Sequence, residues 1–510
     1  MAGSIFTTPS IPFADVKFNG GLNTTKSPLN LQDNESPDLR NIDFDKSGSI
    51  LKRNGYVCLN TDSSVSIGGD GLFWYEKLNT SSPAHTRLAL RVYNGKLQKM
   101  DDLDGTWDDI TGAATITSSN HCDFENFDTQ VFIANGVNKP FITTGAAATT
   151  ASTPAGTSIV SFVKGFNNYL FYANVTVSGV WYPTRLYWSA LRDATTWDSA
   201  DWVEVGKNDG QPITGIKVLG NALVVFKTDS IYNIYFTGDS EIPFTVQKSV
   251  SPVGCRIFSS VQEVQNGLAF FSNDGFYYYD GVTSTKISDK ISATIQGYNS
   301  TNFTKVRSLI QKNKNRVWWA FTSGGQTNND RVLVWDYFNN AWSEYVGMSA
   351  SAMATFVVNG VDERPYFQDY TGRVYRGDFG TNDYPLNTAT AIDGYYWTNW
   401  RPYSDLTTQK GTPNVYLYYP ASDSTLSFSH SFDFEEGKQF TQSFNMSAGG
   451  AEWDSAVWDS STWAGSGGKI KRLDLTGRGR AVRYNFSNSV LGETFRIDGF
   501  GQYPHAETNV

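Results

Sequence analysis

Histidine and cysteine are scarce in this 510-residue chain, with four and three copies, and that scarcity removes whole classes of chemistry. His85, His121, His430 and His505 are scattered, and none lies beside a serine or cysteine in a nucleophile elbow, so triad hydrolysis has nothing to draw on. Cys58, Cys122 and Cys255 are odd in number, far apart and in no ligand spacing. They read as buried free thiols of a chain folded in a reducing compartment, and zinc is unsupported. No glycine-rich loop opens a strand-to-helix unit, which excludes the common phosphate cradles. The start, MAGSIFTTPSIPF, has no basic segment ahead of an apolar core, and no apolar run is long enough to span a bilayer; neither a secretory signal nor membrane insertion is expected. Catalytic, cofactor and metal residues are therefore all expected to be absent. The net charge of -9 argues against gripping nucleic acid through the overall field, although an acidic wall would let a duplex slide without sticking.

Aromatics, by contrast, are 15% of the residues, and 46 glycines join abundant Asn, Ser and Thr, the profile of strands joined by tight turns. Helical periodicity is absent, so the fold class is all-β, and the length asks for more than one domain. Residues 1–70 read as an extended arm ending in a hairpin: NIDFD and SILKR alternate on either side of Lys46-Ser47-Gly48, whose glycine suits a positive φ. Residues 71–385 repeat loosely every 40 to 50 residues, in runs such as NNYLFYANV, NALVVFKTDSIYNIYF, NGLAFFSNDGFYYYDG and RVLVWDYFNNAWSEY. Each pairs apolar strands across a short Asn/Asp/Gly turn, and the period is that of a four-stranded propeller blade. Six or seven such blades are expected, in preference to a pair of β-sandwiches. Beyond 385 the rhythm is lost, and NVYLYYP, STLSFSHSFDF, KIKRLDL, AVRYNF and TFRIDGFGQY read as a C-terminal β-sandwich over 386–510.

Several residues stand out as interface candidates. Asp43, Asp45 and Arg53 lie in the arm hairpin, where Asp43, Asp45, Ser47 and Gly48 match the start of a calcium loop but Asn54 stands where the bidentate glutamate belongs. In AEWDSAVWDSSTWAGSGG, Trp453, Trp458 and Trp463 recur every five residues, a period of neither helix nor strand, and suit either a neighbouring surface or their own domain. The basic segment KIKRLDLTGRGRAVRY, with Arg472, Arg478 and Arg480, suits DNA phosphates, an acidic neighbour or a solvated strand face. The acidic run DDLDGTWDD, Asp101 to Asp109, is read as a hairpin turn rather than a cation site.

The segment GGLNTTKSPLNLQDNESPDLRNIDFDKSGSILKRNGY resembles the opening of many bacteriophage virion proteins. RLYWSALRDATTWDSADWVEVGKNDGQPITGIKVLGNALVVFKTDSIYNIYFTG looks like the central blades of propeller-bearing phage tail proteins, and KIKRLDLTGRGRAVRYNFSNSVLGETFRIDGFGQY is similar to the closing sandwich of tail nozzle proteins of short-tailed phages. That resemblance implies a non-enzymatic virion protein of the distal tail, a homo-oligomeric ring, usually a hexamer, through which double-stranded DNA leaves. The implied partners are a tail adaptor and fibre or plug proteins, with synthesis in the bacterial cytoplasm. A propeller that binds host glycan, or a polysaccharide depolymerase using two carboxylates, is the alternative.

Overall fold

The computed structural model describes residues 13–15, 17–59, 65–79, 85–101, 103, 105–385, 388–403, 406–412, 414–447, 468–502 and 504–506. Contacts divide the chain into two compact units: Val57–Val332 with Met348–Gly377, and Met1–Tyr56 with Leu333–Gly347 and Asp378–Val510.

In the first unit, successive antiparallel sheets follow one another along the chain, spanning 69–109, 123–150, 157–204, 213–248 and 262–286; Arg307–Gln311 and Arg316–Phe321 begin a sixth, and a last sheet begins at 352. The turns explain the hairpins. Asn94-Gly95, Asp128-Thr129, Asn167-Asn168 and Ser178-Gly179 all hold positive φ at both positions, the two-residue turn whose twist matches paired strands. The first strand of each sheet lies at the centre: Asp123–Phe127 beside Thr157–Phe166, that beside Ile213–Leu219, and Arg307–Gln311 beside Ala352–Val358. Ala352–Val358 then packs against Gly69–Leu78, so the ring closes and the architecture is a seven-bladed β-propeller. The seventh sheet takes its fourth strand from far upstream, at Tyr56–Cys58, and the Leu59 amide donates to the Val374 carbonyl at 2.8 Å.

Each blade buries both faces. In Gln130–Ala134, Val131 and Ile133 face Leu90 and Val92 of the blade before, while Phe132 and Ala134 join Val160 and Val163 of the blade after. Leu223 and Val225 likewise point one way, toward Phe171 and Leu186, and Val224 and Phe226 the other, toward Leu268 and Phe270. Removing one such aromatic would cost about 3–5 kcal/mol.

The second unit is a β-sandwich. One sheet orders Phe13–Asp15, Gly499–Gln502, Asn414–Pro420 and Gly468–Asp474; the other orders Leu39–Arg40, Gly394–Trp397, Val482–Asn488, Thr425–Phe432 and Phe440–Asn445. The arm is woven into it. Phe18 is fully buried, 5.5 Å from the Tyr396 ring and about 6 Å from Phe486 and Phe500. The arm hairpin forms as its spacing predicts, Ile42–Phe44 against Ile50–Lys52 with Gly48 at φ 92°, and Arg496–Ile497 adds a third strand.

Arg53, 1% exposed, ties this unit together. Its guanidinium makes a two-pronged pair with Asp383 at 2.8 and 2.6 Å and also donates to Asn41 Oδ1, Val346 O and Asn54 O. Burial still raises the Asp383 carboxyl above its ordinary range, against the pull of Arg53, so the desolvation cost is not fully offset. Arg53→Met should therefore lower stability by about 3–5 kcal/mol in denaturant unfolding, by stranding a buried carboxylate. Arg53→Met with Asp383→Leu should recover much of that loss; a double variant no better than the single would show that the pair's geometry is not what matters.

Candidate functional site

The innermost strands of the propeller carry isolated charges within apolar sequence: Asp70, Asp123 with Glu125, Lys164, Lys217, Glu263 and Arg307. Two adjoining cavities, of about 390 and 210 Å3, share His121, Asp123, Phe258, Ser259 and Arg307 in their walls. Gly215 permits this wall, because a Cβ there would stand 1.9 Å from the Phe258 ring. Phe258 in turn meets Phe162 edge-on at 5.4 Å.

The charges around these cavities are unevenly matched. Lys164 pairs with Glu125, whose other oxygen accepts the Gly165 amide at 3.0 Å. Arg307 donates to neutral acceptors, Ser351 O at 3.1 Å, Thr304 O at 3.0 Å and Val306 O at 2.8 Å, and burial lowers its pKa. Burial likewise pushes Lys217 down, with Lys164 adding to the effect. Arg256, exposed at the rim of the larger cavity, has no side-chain partner within the described chain. Desolvation raises Asp70 to about 7 against the Ser119 amide and Arg307, and raises Asp123 to about 7 against the Val163 amide and Lys164. Desolvation among the neighbouring groups and the Arg307 charge lower the pKa of His121, whose side chain is itself exposed.

The residues singled out from sequence lie elsewhere. Asp43 is 3% exposed and accepts a hydrogen bond from the Tyr345 hydroxyl; with Arg53 it sits inside the sandwich unit, and neither turns its polar atoms to the surface. For Asp45, partial burial is outweighed by the Ser47 hydroxyl and amide, the Ser49 amide and Arg496 at 2.9 Å, and its pKa is lowered. These groups occupy the carboxylate that a calcium loop would use, and the described residues hold no cluster of metal-ligating side chains. Arg472 and Arg478 are exposed, Arg472 pairing with Asp474 at 2.9 Å, and Arg480 is exposed with its amide held by Asp433. Trp453, Trp458 and Trp463 lie outside the described residues. In the acidic run, Asp109 pairs with Lys96 at 2.7 Å, which holds it down at about 2. Cys122 and Cys255 are buried free thiols, whereas Cys58 is half-buried.

The raised carboxyls give a signed pH dependence. A folded-state pKa above the unfolded 3.8 contributes stability that is present below about pH 4 and lost as pH rises toward 7. The loss is at most about 4 kcal/mol per group, less where cavity water solvates it. Asp123→Asn should flatten the fall in Tm between pH 4 and 7.5, and Asp70→Asn should do the same. Parallel Tm profiles for wild type and both variants would show that neither carboxyl is desolvated.

Comparison with curated proteins gives no match. Among solved structures, BamB from Moraxella catarrhalis is 12% identical, with 67% of this chain and 96% of that chain covered at a TM-score of 0.36. BBS1N in complex with ARL6DN is 10% identical, with 65% and 99% covered at 0.41, and the computationally designed Ika8 protein is 12% identical, with 63% and 99% covered at 0.38. None is similar enough to carry an argument. Residues 79–316, from the first blade into the sixth, match the family model Phage_stabilise, described as Bacteriophage P22 Gp10, beta-propeller, and this match supports a structural β-propeller protein of a bacteriophage.

Proposed function

We propose that this chain is a tail component of the virion, a non-enzymatic subunit of a closed ring of six copies. The ring conducts double-stranded DNA during ejection and docks an adaptor and a fibre or plug protein. The phage propeller match over 79–316 carries this reading. Physical arguments support it. Cavities of about 390 and 210 Å3 on the propeller axis leave no passage for a duplex, so a conduit has to form between copies around a second axis. A net charge of -9 keeps phosphates from adhering to its wall. Heterologous contacts around a ring need two different patches per subunit. The edge strand Gly468–Asp474 is one candidate: it exposes Ile470, Lys471 and Arg472, and Arg478 and Arg480 follow it in sequence. Trp453, Trp458 and Trp463, between the strands Phe440–Asn445 and Gly468–Asp474, are candidate anchors for the same contact.

Electron microscopy and native mass measurement of the purified protein, alone and with adaptor, test the reading. Closed six-membered rings are expected; a solitary particle that cleaves capsule or lipopolysaccharide would overturn it. Charge reversal at Arg478 and Arg480 should weaken ring formation or adaptor docking by about tenfold or more while leaving Tm nearly unchanged. Assembly at the wild-type concentration would remove both arginines from the interface.

A further inference from the structure

We propose that the larger axial cavity of the propeller unit binds an acidic sugar, a saccharide ring that presents a carboxylate or phosphate to Arg256 and Arg307 and lays one face on Trp181. The inference does not depend on ring assembly.

The two arginines in the wall of this cavity favour an anionic ligand. Asn135 spends its amide oxygen on the Val137 and Asn138 backbones and its nitrogen on the Asn138 side chain. Asn174 accepts from the Trp181 indole at 2.7 Å and donates to Ile213 O at 3.0 Å. The Thr214 and Ser259 hydroxyls donate to the carbonyls of Cys255 and Val306. Ser161 and Thr304 add hydroxyls to the same wall and Asp123 a carboxyl, so a sugar ring finds polar contacts there as well as charge. Two cations stand in this wall: Arg256, exposed and without a side-chain partner among the described residues, and Arg307, bonded only to neutral oxygens. A guanidinium so placed pairs strongly with an incoming oxyanion.

Arg256 is also held in place before any ligand arrives. Its neighbour Cys255 is fully buried, with its amide on Lys227 O at 3.0 Å and its carbonyl receiving the Thr214 hydroxyl at 2.5 Å; Ile257 on the other side is buried. The backbone there is already ordered, so the ordering cost of binding falls on the exposed Arg256 side chain.

The apolar part of the site calls for a ring. Trp181 is 61% exposed although its strand, Val180–Trp188, is anchored in the third blade, and the indole bond to Asn174 fixes its orientation. A large aromatic face kept open in the wall of a cavity that also holds two arginines suits the C–H face of a pyranose. A volume of about 390 Å3 is more than a single acidic side chain fills and falls in the range of small-molecule sites.

The test is calorimetric titration of the full chain with glucuronic acid, glucose 6-phosphate, glucose, acetate and inorganic phosphate, with indole fluorescence as a second readout. At least one of the two acidic sugars should bind in the millimolar range or tighter and perturb the fluorescence, and which of them binds better identifies carboxylate or phosphate as the source of the charge. Glucose, acetate and phosphate should each bind about tenfold more weakly or worse. Arg256→Gln should reduce affinity by about tenfold, and Trp181→Ala should reduce it and abolish the fluorescence change, both at unchanged Tm. Both side chains are exposed, so folding is not at stake. Glucose equal to the acidic sugars, inorganic phosphate or acetate as tight as either, variants that bind like wild type, or no heat from any of the five would each overturn the proposal.

Discussion

The whole propeller rests on one constraint: sheets that bury both faces cannot end, so the last must meet the first. Strands such as Gln130–Ala134 and Ala222–Lys227 are apolar at nearly every position, and a blade carrying them is stable only between two others. The junction that satisfies the ring is the packing of the seventh blade on the first. There Trp74 stacks on Phe356 at 5.2 Å, Phe356 stacks on Tyr366 at 4.3 Å, and Leu72, Met100 and Val374 fill the space around them. The strand that completes the seventh sheet comes from Tyr56–Cys58, some three hundred residues upstream of its partner Val374–Gly377. Closing so long a loop costs only slightly more entropy than closing a short one, but it makes the fold depend on contacts distant in sequence.

Closure has an electrostatic consequence. Seven first strands converging on an axis bring their side chains together whatever those side chains are, and charges placed there lose water. Asp70 and Asp123 are raised by that loss, and the pKa values of His121, Lys217 and Arg307 are lowered. An arrangement that served stability alone would pair each cation with a carboxylate, as Lys164 is paired with Glu125. Arg307 instead takes carbonyl oxygens and meets Asp70 only through a longer-range charge interaction, so a bound anion would relieve part of its desolvation cost.

The β class and the hairpin turns were legible in the sequence because period-2 strands and Asn/Gly turns are local signals. Asn94-Gly95 announces its turn by residue type alone. The arm hairpin was legible for the same reason, but its integration into the sandwich was not: nothing local to Phe18 indicates Phe486 or Phe500. Asp43 and Arg53, interface candidates in the sequence, are buried in the sandwich unit, where a tyrosine hydroxyl and a bidentate pair satisfy their charge, which no local signal foretold. The axial cavity left only a faint trace, one charged residue in each of several apolar strands, such as Lys164 in TSIVSFVKGF and Lys217 in ITGIKVL. Without the ring geometry those positions look like ordinary exposed strand residues.

The arginines separate by what surrounds them. Arg53, Arg91 and Arg483 are each almost fully buried, and each is consumed by the fold. Arg53 sits on Asp383; Arg91 has its guanidinium 4.2 Å from the Trp107 ring and donates to Gly372 O; Arg483 lies over Trp397 and Trp400 and pairs with Glu436. Cationic side chains used this way stiffen a core through planar stacking as much as through charge. Arg256 satisfies neither condition: it is exposed, without a side-chain partner, and carried on a backbone fixed by Cys255 and Ile257. A long cation on a fixed backbone at the rim of a cavity contributes nothing to the fold that a smaller residue would not. In the proposed site its charge would meet whatever enters the cavity from outside the chain.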